Sequence, residues 1–99
     1  MATVHASPFI DEIAQEFGSL RRNEHVQGVL SQWIDEAYVI WVGIVDDNDD
    51  ARQAVYRVED QVSEKFPHVL FDFHVIALPE GRTTQDYVSN AQVVFQRSA

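Results

Sequence analysis

Nine consecutive residues, Ala37 to Val45 (AYVIWVGIV), carry no charge, and both of their alternating sets are apolar. β-Branched and aromatic side chains dominate the run. A strand of this kind needs cover on both faces, so it belongs in the interior of a sheet. It is too short to cross a bilayer. Asp46-Asp47-Asn48-Asp49-Asp50 follows and reads as a loop. Asp49 or Asp50 is expected to cap the next helix, whose first turn suits negative charge. That helix is expected over Ala51 to Phe66, with Val55, Val58, Val62 and Phe66 as its core stripe and Pro67 as its stop. His68 to Leu78 reads as a second strand. Phe71, Phe73, Val75 and Ala77 line one of its faces; Leu70, Asp72, His74, Ile76 and Leu78 line the other. Strand, helix and strand in this order make a β-α-β unit with parallel strands.

The rest of the chain is arranged around that unit. Ser7-Pro8 reads as an N-cap followed by proline at the first helical position. Ile10, Ile13, Phe17 and Leu20 form one apolar stripe, so a helix is expected from Pro8 to Arg21. Glu24 to Ile34 fits two patterns. Val26, Val29, Leu30 and Trp33 suit a helix, whereas Val26, Gly28 and Leu30 alternate as in a strand; the favoured expectation is a short second helix. Pro79-Glu80-Gly81 marks a turn. Thr83 or Thr84 is placed to cap a single helical turn through Tyr87, and Val93-Val94-Phe95 suits a final edge strand. No repeat or linker interrupts residues 1–99, which read as one domain. The expected fold class is α+β: a small mixed sheet built on the β-α-β unit, with N-terminal helices packed on it.

Composition restricts function more than fold. Seven Lys and Arg face sixteen Asp and Glu, for a formal net charge of −9. Such a surface repels phosphate backbones and anionic membranes, so neither direct nucleic-acid binding nor membrane association is expected. A basic protein partner is attracted. The chain has no cysteine, which excludes disulfides, thiolate zinc sites and a cysteine nucleophile. That usage fits a cytoplasmic protein. Met1 to Pro8 has neither the basic start nor the apolar run of a secretory signal.

Few residues suggest chemistry. Asp46, Asn48 and Asp50 match the opening of a calcium loop, but Ala51 stands where the sharp turn needs Gly, and Arg57 where a bidentate Glu should close it. Asp72 and His74 share one strand face, with His68 nearby, so a metal or acid–base site is conceivable beside the simpler reading of a hydrogen-bonded pair. Trp33, Tyr38 and Trp41 suit core packing better than ligand stacking. Glu59, Asp60 and Glu64 are expected on the solvated side of the long helix. No glycine-rich phosphate loop and no nucleophile-elbow pattern occurs.

The stretch from Tyr38 to Ile76, YVIWVGIVDDNDDARQAVYRVEDQVSEKFPHVLFDFHVI, resembles the later half of a minimal nucleotidyltransferase domain. In that family a strand bears an Asp-x-Asp motif, an acidic loop and a helix follow, and a second strand carries a third carboxylate. Here the Asp-x-Asp positions fall on Tyr38 and Ile40, the Gly-Ser motif is missing (Val29-Leu30-Ser31 is at best a remnant), and Asp72 alone occupies a position like the third carboxylate. Two-metal phosphoryl transfer needs clustered carboxylates. The resemblance therefore implies a degenerate, non-catalytic member, such as an acidic partner subunit of a toxin–antitoxin or defence pair. A ferredoxin-like β-α-β fold shares part of the pattern.

The sequence thus predicts a protein-interaction or regulatory module, homo-oligomeric or in a hetero-complex, with no catalytic, metal or cofactor residues assigned. Asp46, Asp47, Asp49, Asp50, Asp72 and His74 are its candidate contact residues. The alternative is a divalent-metal-dependent nucleotidyl-transfer enzyme that uses the Asp46–Asp50 loop with Asp72 and His74. A small-molecule sensor with a pocket lined by Trp33, Trp41 and Tyr56 is a third option.

Overall fold

The computed structural model describes residues 7–97. The element order is helix α1 (Ser7–Gly18), a 3₁₀ turn (Ser19–Arg22), strands β1 (Val26–Ile34) and β2 (Ala37–Val45), helix α2 (Asp49–Lys65), strand β3 (Leu70–Leu78), a 3₁₀ turn (Thr84–Asp86) and strand β4 (Gln92–Gln96). One mixed sheet carries the strands in the order β3-β2-β1-β4. β2 and β3 are parallel, joined by α2, and β1 pairs antiparallel with both β2 and β4. The α+β class and the β-α-β unit expected from the sequence are both present.

β2 spans the residues expected of it and lies inside the sheet, which explains its apolar faces. Tyr38, Ile40, Val42 and Ile44 pack with Ile13, Phe17 and Leu20 of the N-terminal helical segment and with Val55, Val58, Val62 and Phe66 around α2. The helices thus share one sheet face, and every residue of the two expected helical stripes contributes there, Ile10 from its margin. Lys65 Nζ reaches Glu16 Oε2 at 2.8 Å and ties α2 to α1.

Several expectations need correction. Glu24 to Ile34 does not form a second helix; Val26–Ile34 is a strand. The cause is a two-residue turn in which Asp35 and Glu36 both take positive φ, 49° and 69°. This is the backbone hand that joins twisted antiparallel strands, and it registers Ile34 with Ala37 and Leu30 with Trp41. Ser7, the first described residue, is already helical and so is not the cap expected of it, and the helix tightens into the 3₁₀ turn after Gly18. The cap of α2 is Asn48, whose Oδ1 accepts from the Ala51 N–H at 2.9 Å; Asp49 and Asp50 occupy the first turn. β3 starts at Leu70, not His68.

The connection from β3 to β4 must travel from one edge of the sheet to the other. It does so across the face that the helices leave open. Gly28 and Gly43 are cross-strand neighbours on that face, and together they make a floor for Thr84, which is fully buried. A Cβ at Gly43 would lie 2.3 Å from Thr84 Oγ1, and one at Gly28 would lie 3.2 Å from it. The buried Gln27 side chain fastens the strap. Its Oε1 accepts from Thr84 N at 2.8 Å and Thr84 Oγ1 at 2.6 Å, and its Nε2 donates to the Arg97 carbonyl at 2.6 Å. The expected helical turn is present as Thr84–Asp86, with the Thr83 N–H donating to Asp86 Oδ2 at 2.9 Å.

Candidate functional site: the open sheet face

Strand register sorts the open face into rows. Leu70, Ala37 and Ile34 form the row beside the β1–β2 turn. Next come Asp72, Val39 and Gln32, then His74, Trp41 and Leu30, then Ile76, Gly43 and Gly28. The strap closes the glycine end. Towards the hairpin the cover runs out: Leu70 is 66% and Ile34 is 44% exposed, with half-buried Ala37 between them.

A lateral chain of polar contacts borders this uncovered corner. His74 Nε2 lies 3.1 Å from Asp72 Oδ2. The His74 ring stacks on Trp41, with centroids 4.2 Å apart and planes 16° from parallel. Trp41 Nε1 donates to Gln32 Oε1 at 2.9 Å, and Gln32 Nε2 donates to the Ser89 carbonyl of the strap at 2.9 Å. The chain runs from β3 across β2 and β1 to the loop. Trp41 is held at both its face and its nitrogen, so the corner has a fixed shape. Asp35 and Glu36 are exposed at the tip of the adjoining turn, and Asp72 is exposed on the other side. The corner is thus an apolar centre with a rim of carboxylates.

The sequence-derived candidates fall into two separate places. Asp72 and His74 adjoin the corner. Asp46, Asp47, Asp49 and Asp50 lie past Val45, the partner of Leu78 at the far end of β3. Six residues separate Val39, the neighbour of Asp72, from Val45, which puts the two groups roughly 20 Å apart at the usual strand rise. The loop does not join Asp72 and His74 around one ion. Asp46 and Asp47 form a turn with φ of 58° and 47°. Asp47 is ion-paired to Arg52, which keeps the guanidinium charged far beyond the ordinary range, and Arg52 also reaches the Tyr56 hydroxyl. Among the described residues, no three of His, Asp and Glu converge to hold a metal ion.

The positions compared with Asp-x-Asp also lie apart from Asp72. Tyr38 and Ile40 face the helices and neighbour Phe71 and Phe73, whereas Asp72 neighbours Val39 on the opposite face. Tyr38 is buried, and burial pushes its ionisation upward, an effect offset in part by the Ser31 hydroxyl. Trp33 stacks obliquely on Tyr38 from the helix side, so Trp33 and Trp41 occupy opposite faces and do not line a common pocket with Tyr56. An open cleft of about 450 Å³ lies between the first 3₁₀ turn and α2, and none of these three aromatics lines it.

Glu59 departs from the solvated position its sequence context predicts. Asp60 and Glu64 are exposed, but Glu59 is half-buried, and its Oε2 is shut away from solvent with no hydrogen-bond partner among the described residues. Burial, with a smaller contribution from Asp60, pushes its carboxyl up to about 7. The signal available in the sequence was its position four residues after Val55, beside the core stripe.

Comparison with protein-family models, with curated proteins and with solved structures gives no match. Among the described residues, no helix is long and apolar enough to cross a membrane.

Proposed function

We propose that this protein is a non-catalytic interaction module whose docking surface is the uncovered corner of the sheet. The carrying observation is the exposure of Leu70 and Ile34 beside a Trp41–His74 stack, within a rim of Asp35, Glu36 and Asp72. An apolar centre with a charged rim is the anatomy of a recognition patch. The rim and the net charge of −9 select a basic protein whose apolar anchor is flanked by Lys or Arg. The resemblance to degenerate nucleotidyltransferase-like subunits of toxin–antitoxin or defence pairs supports the same reading.

The test is retention of a basic protein from the native host by the tagged chain, repeated with Ile34→Glu and at raised salt. Retention by the wild type, loss in Ile34→Glu and weakening with salt are expected. The same proteins on both baits would dismiss the corner as the docking surface. Calorimetry with magnesium or manganese and nucleoside triphosphates tests the enzymatic alternative, and heat abolished by Asp72→Ala would overturn the non-catalytic reading.

A further inference from the structure

The two edges of the sheet are treated differently by this sequence. β4 is five residues long, its pairing with β1 is interrupted by a bulge, and Arg97 follows it immediately. Short length, a bulge and a basic residue are the usual devices that stop an edge from recruiting another strand. β3 has none of them. It runs nine residues in unbroken register with β2, without Pro, Lys or Arg, and among the described residues it is paired on one side alone. Its sequence, LFDFHVIAL, holds a single carboxylate, Asp72, in a chain with sixteen Asp and Glu. Apart from Leu78, every residue of β3 is at least partly exposed.

From these features we infer that β3 pairs antiparallel with β3 of a second copy of this chain, joining two sheets into one of eight strands. This surface is the free edge of the strand; it shares Leu70, Asp72 and His74 with the corner of the open face but not Ile34, Asp35 or Glu36. A two-fold axis normal to the sheet brings together residues that point to the same face, so the numbers of facing residues must sum to an even value. A sum of 148 pairs the entire strand and sets His74 against the partner's His74.

The side chains suit that register. On the helix face, Phe71 falls beside the partner's Ala77, an exposed small residue with room for a ring, and Phe73 falls beside the partner's Val75. On the open face, Asp72 faces the partner's Ile76 and lies diagonal to the partner's His74, which gives two reciprocal carboxylate–imidazole approaches around the axis. The two Asp72 carboxylates stay on opposite sides of the axis. A slip that sets Asp72 directly against the partner's His74 leaves Ala77 and Leu78 unpaired at each end. Hydrogen bonding between carboxylate and imidazole therefore favours this self-pair although the chain as a whole is strongly acidic.

The absence of cysteine provides a clean probe. In the proposed dimer, residues at position 74 face each other at the Cα separation of neighbouring strands, which a disulfide can span. Light scattering of the full chain at micromolar concentrations should give twice the 11.3 kDa chain mass. His74→Cys should form a covalent dimer under mild oxidation, and Leu70→Cys, whose counterpart is the partner's Leu78, should not. Ala77→Glu changes an exposed side chain of the monomer and should halve the mass, while Ile34→Glu, remote from the edge, should leave it doubled. A monomer mass throughout this range, or a dimer that His74→Cys fails to link, would overturn the inference. Dimerisation that persists in Ile34→Glu while the basic partner is lost would separate this edge from the docking corner.

Discussion

Glu59 and Gly43 are each held in an environment that a small change would disturb, and each predicts a measurable response. The Glu59 carboxyl, at about 7 in the fold against 4.5 for an unstrained carboxyl, keeps a proton that the unfolded chain releases. Its contribution is fully present below pH 4.5 and is lost as pH climbs through 7, because the fold must then bury a charge. Glu59→Gln should therefore stabilise the protein at pH 8 by on the order of 1 kcal/mol, after allowance for solvent screening, and change little at pH 4. Urea titrations at the two pH values check this, and a gain equal at both would disprove it. At Gly43 the constraint is steric. An added methyl would meet Thr84 Oγ1 at 2.3 Å and Leu78 Cδ1 at 2.7 Å. Gly43→Ala should cost about 1–3 kcal/mol in urea unfolding, the range for overpacking a closed site. Combined with Thr84→Gly, it should cost less than the sum of the two single changes, because the tighter of the two clashes, with Thr84 Oγ1, has gone and only the contact with Leu78 is left.

Among the elements, those with an unambiguous period were legible in the sequence. β2, α2 and β3 announced themselves through a doubly apolar run, a stripe of three valines and a phenylalanine, and a clear alternation. β1 did not, because Gly28 interrupts its pattern and a bulge between Val26 and Gly28 shifts its register. The hairpin that decides the matter turns on Asp35-Glu36 and puts Glu36, a residue type that seldom adopts left-handed backbone, where glycine is usual, so the Asn-Gly or Asp-Gly signal was missing. That choice leaves stability unclaimed. Replacing Asp35-Glu36 by Asn-Gly should relieve the backbone cost at both positions and raise stability by roughly 1 kcal/mol, visible as an increase in Tm. An unchanged or lower Tm would show that the carboxylates at this tip make compensating contacts. The strap was legible as a turn, a cap and an edge strand, but its crossing was not: which face it covers depends on the strand order, and no local pattern encodes that.

At the scale of the whole molecule, the candidate contact residues could be picked out one by one, yet their grouping could not. Asp72 and His74 share a face by simple alternation, and the structure keeps them together. Their distance from the acidic loop follows from the parallel register of β2 and β3, which returns the chain to its starting end. The apolar corner was illegible for a similar reason: Ile34 and Leu70 lie far apart in sequence and meet only through Ala37. With the helices on one side and the strap on the other, the sheet is sandwiched unevenly, and recognition is assigned to the part that neither layer reaches.

The path of the strap has one more effect. Everything from Val26 to Leu78 is continuous in both chain and packing, but β4 is attached through a single thread that passes the exposed Arg82. β4 is otherwise secured by Arg97, whose Nε donates to the Val26 carbonyl at 2.9 Å, and by Phe95 in the core. A cut in that thread would sever no hydrogen bond between strands, so the C-terminal piece could stay seated as a separate peptide, making this a natural candidate for division into two fragments that reassemble.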